Sequence, residues 1–243
     1  MKIFFLWLII AIGPCFALAQ TKIIRSYPVK NGQTLDLNFD YPKIVQISTW
    51  NNKEISITAT IKINDGESDG AFSLVEHNSE GEISISNKLN MDLIPQSYYT
   101  VENGNKIRFN TKRELEAYIS KKGGNRPAIY QQKDIEISLD IKVPVKLSTK
   151  ITSVYGLVKL QDFHGPIKVD ATYGGIDASL VEKSVGKLQL TTHYGKIYTN
   201  LNLQPTENIE KDFFTSMTAV PGKGPGYNFA STYGNIYLRS ATK

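Results

Sequence analysis

Apolar and polar residues alternate along most of this chain, the period-two signature of strands that bury one face. Leu35, Leu37 and Phe39 mark one such segment, and Ile44, Val45 and Ile47 the next. Ile55, Ile57, Ala59 and Ile61 continue the pattern, as do Ile83 and Ile85. Turn-forming runs separate them: Lys30-Asn31-Gly32, Asn51-Asn52 and Asn64-Asp65-Gly66-Glu67-Ser68-Asp69-Gly70. Residues 90–133 interrupt the alternation. Within them Thr111-Lys112-Arg113-Glu114 forms a capping box, Leu115, Tyr118 and Ile119 share a helical face, and Gly123-Gly124 stops the run. The spacing predicts a short helix over 112–122 inside an irregular insertion. Alternation returns at Ile135, Ile137, Leu139, Ile141 and Val143, and Pro144 marks a bend or a sheet edge.

The C-terminal half repeats itself. Tyr-Gly recurs at Tyr155-Gly156, Tyr173-Gly174, Tyr194-Gly195 and Tyr233-Gly234, and Gly165 and Gly186 subdivide the intervals. Two residues after these six glycines stand Val158, Ile167, Ile176, Leu188, Ile197 and Ile236, all aliphatic. Three residues after stand Lys159, Lys168, Asp177, Gln189, Tyr198 and Tyr237, none aliphatic. Glycine allows the positive φ of a sharp corner, and the strand that follows points its second and fourth residues inward. One strand with its corner cannot bury its own apolar face, so the units must stack. The pattern predicts an all-β fold: a right-handed parallel β-solenoid with coils of about 20 residues, residues 20–243 forming one domain. An antiparallel β-sandwich is the alternative, although the corners lack the Asn-Gly or Asp-Gly of tight hairpins. Sequential stacking sets Lys159 beside Asp177, Lys168 beside Gln189, Asp177 beside Tyr198, and Ile176 between Val158 and Ile197.

The N-terminus reads Met-Lys, an uncharged run from Ile3 to Ala11, Gly13-Pro14, and Ala17-Leu18-Ala19. A basic start, a short apolar core and a small-x-small end predict a signal peptide over 1–19, with the mature chain starting at Gln20. The apolar run is too short for a stable anchor, and no later window predicts a transmembrane span. The single cysteine, Cys15, lies in this leader, so the mature chain has no disulfide framework and no thiol chemistry. Pro14 before it argues against lipidation there. With 41% hydrophobic and 21% charged residues, the chain is neither disordered, nor a coiled coil, nor a multi-span membrane protein. A net charge of +5 is mild and dispersed. The densest basic run, Lys121-Lys122 with Arg126 nearby, reads as a solvated loop, which with export excludes nucleic acid as a partner.

A leader, alternating N-terminal strands, Ile141-Lys142-Val143-Pro144, and Tyr-Gly steps ending in Thr232-Tyr233-Gly234-Asn235-Ile236-Tyr237-Leu238 together carry a resemblance. The chain resembles the adhesin-like β-strand-repeat proteins of Bacteroidetes, related to the auto-transporter adhesin head domain family. The resemblance covers 134–243 well and 33–89 loosely. It implies an exported, β-helix-like protein of a Gram-negative bacterium, in the periplasm, on the outer membrane or outside the cell. It carries over no catalytic residue. The segment 205–225, with Phe213-Phe214 and Pro221-Gly222-Lys223-Gly224-Pro225-Gly226, departs from the repeat.

Catalytic, cofactor-binding and metal-ligating residues are expected to be absent. His77, His164 and His193 form no ligand pair, and no Gly-x-Ser-x-Gly elbow occurs. The run 222–226 lacks the Gly-Lys-Ser/Thr ending of a phosphate loop and reads as flexible. The 64–70 loop offers carboxylates to calcium, but the ligand spacing of an EF-hand is missing and it reads as a solvated strand connection. Asp162, Asp170 and Asp177 are the carboxylates that a polysaccharide lyase or hydrolase on this fold would need, and alternate half-coils set them on different faces. The Tyr-Gly tyrosines 155, 173, 194 and 233 read as a stacked ladder that stabilises the coils. Tyr198 and Tyr237, at the outward position, are the better surface contacts. The expected role is an exported, adhesin-like or envelope-associated binding or structural protein. Its partner is an envelope protein or glycan, and self-association is compatible with it. A carbohydrate-active enzyme is the alternative.

Overall fold

The computed structural model describes residues 20–123 and 127–241. The expected leader with Cys15, and Gly124 and Arg126, lie outside the described residues. The strands in the first part of the chain are β1 (Thr21–Pro28), β2 (Thr34–Phe39), β3 (Ile44–Trp50), β4 (Glu54–Ile63), β5 (Phe72–Asn78) and β6 (Glu82–Leu89). The insertion contributes β7 (Ser97–Glu102), β8 (Asn105–Phe109), helix α1 (Lys112–Lys122) and β9 (Ile129–Gln132). Then follow β10 (Ile135–Pro144), β11 (Thr149–Ser153), β12 (Leu157–Leu160), β13 (Ile167–Ala171), β14 (Ile176–Leu180), β15 (Leu188–Thr192) and β16 (Ile197–Thr199). The chain ends with β17 (Pro205–Lys211), β18 (Phe214–Ala219), β19 (Tyr227–Ser231) and β20 (Ile236–Ser240).

Alternation becomes burial directly. In β4, Ile55, Ile57, Ala59, Ile61 and Ile63 are fully buried while the residues between them are half-exposed. Two large sheets result, one ordered β1-β4-β10-β3-β12-β14-β20-β16 and the other β17-β18-β15-β19-β13-β11-β2-β6-β5. Their inward side chains merge into one core that takes Val45, Ile47, Val158 and Ile176 from the first sheet and Leu37, Ile151, Val169 and Phe229 from the second. The helix forms where its capping box predicts. The Thr111 hydroxyl accepts from the Glu114 amide at 3.2 Å, and the Glu114 carboxylate accepts from the Thr111 amide at 3.3 Å. It packs by Leu115 beside a small antiparallel sheet, β8-β7-β9.

The regular parallel solenoid is not what the chain builds. The fold is a sandwich of two mixed sheets. The pairs β1/β4, β4/β10, β5/β6, β15/β18 and β17/β18 are antiparallel. A solenoid also adds coils in chain order, whereas here β19 and β20 lie between β13/β14 and β15/β16. Nor is the sandwich purely antiparallel, because its centre is parallel. Val158 faces Ile176 and Lys159 faces Asp177 across β12/β14, as parallel stacking of those two units requires. Beyond that rung the expected order fails. Ile176 lies between Val158 and Ile236, Lys168 faces Asn228 instead of Gln189, and Asp177 faces Tyr237 with Tyr198 one strand further.

The departure at 205–225 explains this order. The β17–β18 hairpin closes the end of the nine-stranded sheet beside β15, and the glycine-rich run carries the chain back inside it. That run is closely packed, contrary to its reading as flexible. A Cβ on Gly222 would overlap the Lys183 carbonyl, and one on Gly224 the Ser184 carbonyl.

Candidate binding surface

The corners joining the two sheets stack on one another, and their tyrosines stack with them. Backbone amides tie each corner to the next: Tyr155 donates to the Asp40 carbonyl at 3.2 Å, Tyr173 to Val154 at 2.8 Å, Tyr233 to Thr172 at 2.9 Å and Tyr194 to Thr232 at 2.8 Å. The glycines serve this contact and not a positive φ, which among the described glycines occurs only at Gly32, Gly66, Gly104 and Gly123. A Cβ on Gly156 would overlap the Pro42 carbonyl oxygen, one on Gly174 that of Gly156, one on Gly234 that of Gly174, and one on Gly195 that of Gly234. Hydroxyls three residues before the glycines complete the corners. Ser153 donates to the Gly156 carbonyl, Ser231 to Gly174 and Thr192 to Gly234, each at 3.1 Å.

The result is a single column of rings. Tyr155 and Tyr173 lie 5.3 Å apart and 9° from parallel, Tyr173 and Tyr233 5.1 Å and 5°, and Tyr233 and Tyr194 5.0 Å and 10°. Tyr41 extends the column at one end, 6.1 Å from Tyr155, and Phe213 at the other, 5.6 Å from Tyr194. Five strand spacings make the column about 24 Å long. The four Tyr-Gly rings stack as a ladder, yet they are not core groups: each is 51–58% exposed. The faces of the inner rings cover one another, so their edges and hydroxyls meet solvent. Phe213 is 72% exposed and holds a φ of +60° at the tip of the β17–β18 hairpin. A phenylalanine that gives up both burial and a relaxed backbone is uncommon.

Tyr198 and Tyr237 also stack, 5.1 Å apart and 10° from parallel, on the outer face of the eight-stranded sheet. Arg239 lies 5.7 Å from the Tyr237 ring and donates to Asp177 through Nε at 2.8 Å. A shallow cavity of about 230 Å³ is lined by these two tyrosines, Asn200 and Arg239. Sequence reasoning identified this pair as the surface contacts and the four Tyr-Gly tyrosines as a structural ladder, and it held no sign of Tyr41 or Phe213 as members of the column. Tyr41 precedes a proline where the other corners have glycine, and Phe213 lies outside the repeat.

A second, charged cavity of about 500 Å³ separates the small sheet from the sandwich. Its charges are paired or hydrogen-bonded within the protein, Lys133 donating to the Met91 and Ile94 carbonyls. Arg108 pairs with Asp65 and, at 3.0 Å, with Asp134, while Lys62 reaches Asp65 at 3.1 Å. The Tyr99 hydroxyl donates to Asp134. Burial and that hydrogen bond push the Tyr99 phenol pKa up. Burial opposes the Asp134 carboxylate, but hydrogen bonds from Tyr99, Gln132 and Ser97 and the Arg108 charge hold its pKa below the usual range. The cluster clamps the insertion to the sandwich. It also engages the 64–70 loop: Asp65 is paired as above, and Asp69 accepts from the Ile63 amide at 2.6 Å. No group of three or more metal-type ligands occurs among the described residues.

Asp162, Asp170 and Asp177 are not brought together. Asp162 lies in a turn, Asp170 on the nine-stranded sheet paired with Lys168 at 3.1 Å, and Asp177 on the eight-stranded sheet with Arg239. His193 contacts Phe214 edge-on at 5.4 Å. No described helix is long and apolar enough to cross a membrane.

No family model matches the chain, and no curated protein matches it. A candidate cell adhesion protein from Clostridium sporogenes is similar at 10% identity and a TM-score of 0.45, over 92% of this chain and all of that one. A candidate adhesin from Bacteroides fragilis is similar at 10% identity and a TM-score of 0.22, over 91% of this chain and 98% of that one. Both scores are too low for either likeness to assign this chain a role.

Proposed function

We propose that this is an exported, non-catalytic, adhesin-like protein that binds an envelope or surface partner through its aromatic column. The observation that carries the reading is the uninterrupted line of six rings, four of them more than half exposed tyrosines and one a strained, exposed phenylalanine. Soluble proteins rarely leave so many aromatics contiguous on the surface without a use for them. Tyrosine supplies large contact area with few rotatable bonds and a hydroxyl for hydrogen bonding, which suits a contact surface. The leader-like N-terminus and the resemblance of the Tyr-Gly steps to adhesin-like repeat proteins support export and surface binding. The dispersal of the three candidate carboxylates favours binding over glycan cleavage.

The test is retention of the purified protein on envelope glycans and envelope proteins, immobilised separately. Tyr173→Ala with Tyr233→Ala removes the two central rings and should weaken retention at least about ten-fold, a loss of about 1.4 kcal/mol. Tyr130→Ala, on the small sheet, should bind as wild type. Equal binding by the double variant, or turnover of a glycan by the wild type, would overturn the proposal.

A further inference from the structure

The column also places phenols where they can become covalently joined. We propose that Tyr155, Tyr173, Tyr233 and Tyr194 form a site of oxidative tyrosine–tyrosine cross-linking, the oxidant being hydrogen peroxide acting through a haem peroxidase.

Three observations carry this. First, consecutive rings are 5.0–5.3 Å apart and within 10° of parallel, so a radical on one ring has its coupling partner already beside it. Second, each ring is more than half exposed, which admits the oxidant and leaves the ring edge free to turn toward its neighbour. Third, the ring order is 155, 173, 233, 194, so a bond at Tyr233 joins the inserted final strands to the segments on either side. From Gln20 onward the chain has no cysteine, so no thiol competes for the oxidant and no disulfide staples these segments.

The chemistry balances. Each of two phenols gives up one electron and its hydroxyl proton, and the peroxide takes both pairs and becomes two molecules of water. The two phenoxyl radicals then form one carbon–carbon bond between ring positions ortho to oxygen. Each coupled carbon releases its proton to its own phenol oxygen as the ring regains aromaticity. The product lacks two hydrogens relative to the two tyrosines.

Tyr130 provides an internal control. It is 51% exposed, as is Tyr233, but among the described residues it stacks on no other ring. If exposure alone governs oxidation, the two should react alike; if stacking governs it, only Tyr233 should couple.

The experiment treats dilute protein beginning at Gln20, which carries no thiol, with peroxide and a haem peroxidase. The product is read by dityrosine fluorescence, by denaturing electrophoresis, and by mass spectrometry of digested peptides. The expected product is a monomer containing joined peptides, lacking two hydrogens, for Tyr155–Tyr173, Tyr173–Tyr233 and Tyr194–Tyr233. Tyr233→Phe keeps the stacked ring but removes the phenol, so it should abolish the last two pairs and leave Tyr155–Tyr173. Coupling only between molecules, coupling at Tyr130 as readily as at Tyr233, or an unchanged peptide pattern in Tyr233→Phe would each overturn the proposal.

Discussion

Replacing Gly174 by Ala tests how the corners are built. The glycine sits between two rungs. Its own Cβ position overlaps the Gly156 carbonyl, and the Gly234 Cβ position overlaps the Gly174 carbonyl. The obstacle to the new methyl, the Gly156 carbonyl, is backbone held by the amide ladder from Asp40 to Tyr194, so it cannot rotate away. Overpacking costs about 1–3 kcal/mol, and a rigid neighbour places this site at the upper end. Lower unfolded-state entropy returns about 0.4–1 kcal/mol. The net cost is about 2 kcal/mol, which for a chain of this size lowers the melting temperature by about 4–8 °C. Urea unfolding followed by circular dichroism gives the value. Gly81, with nothing within 4 Å of its Cβ position, is the control and should tolerate Ala within about 0.5 kcal/mol. Asn separates the two accounts of the glycine. A residue needed for positive φ would tolerate Asn better than Ala, whereas a close approach rejects both. A Gly174→Ala protein as stable as wild type, or one rescued by Gly174→Asn, would refute the stacked-corner argument.

Ile176 is fully buried between Val158 and Ile236, so Ile176→Ala should cost about 2–5 kcal/mol in the same assay. Burial pushes the Tyr227 phenol up to about 12, and its hydroxyl donates to the Phe163 carbonyl at 2.5 Å. Stability from this group should therefore be complete below pH about 10, the unfolded value, and be lost as pH rises toward 12. Tyr227→Phe should remove that alkaline slope and cost about 1–3 kcal/mol at neutral pH. Asp134 has a depressed folded pKa, so its contribution should be present above about pH 4 and be lost as pH falls through the folded value. Asp134→Asn should flatten that acid limb and loosen the small sheet, seen as faster amide exchange in β7 and β9.

Local structure was largely legible in the sequence. The parity of Ile55, Ile57, Ala59 and Ile61 gives the buried face of β4, and Thr111 with Glu114 gives the helix start. The pairing of Val158 with Ile176 follows from the Tyr-Gly spacing. Strand order was not legible, because every Tyr-Gly unit offers the same aliphatic positions, and Ile176 packs as well on Ile236 as on Ile197. The segment that reorders the units carries its information in close backbone approaches, Gly222 on Lys183 and Gly224 on Ser184, which look like flexibility in a one-dimensional reading. Exposure of the tyrosines was hidden for a related reason. Parity places Tyr155 on the same side as Ser153, which is buried, but the chain turns a corner between them and parity does not survive it. The same logic concealed Tyr41, whose corner uses Pro42 in place of glycine.

The most direct test of the aromatic column as a binding surface is tyrosine nitration, read residue by residue on the free protein and on the protein retained on immobilised envelope glycans or envelope proteins. The account predicts that retention slows nitration of Tyr155, Tyr173, Tyr233 and Tyr194 together and leaves Tyr130 unchanged. Protection confined to Tyr130 and the small sheet, with the four column tyrosines reacting at their unbound rates, would contradict it.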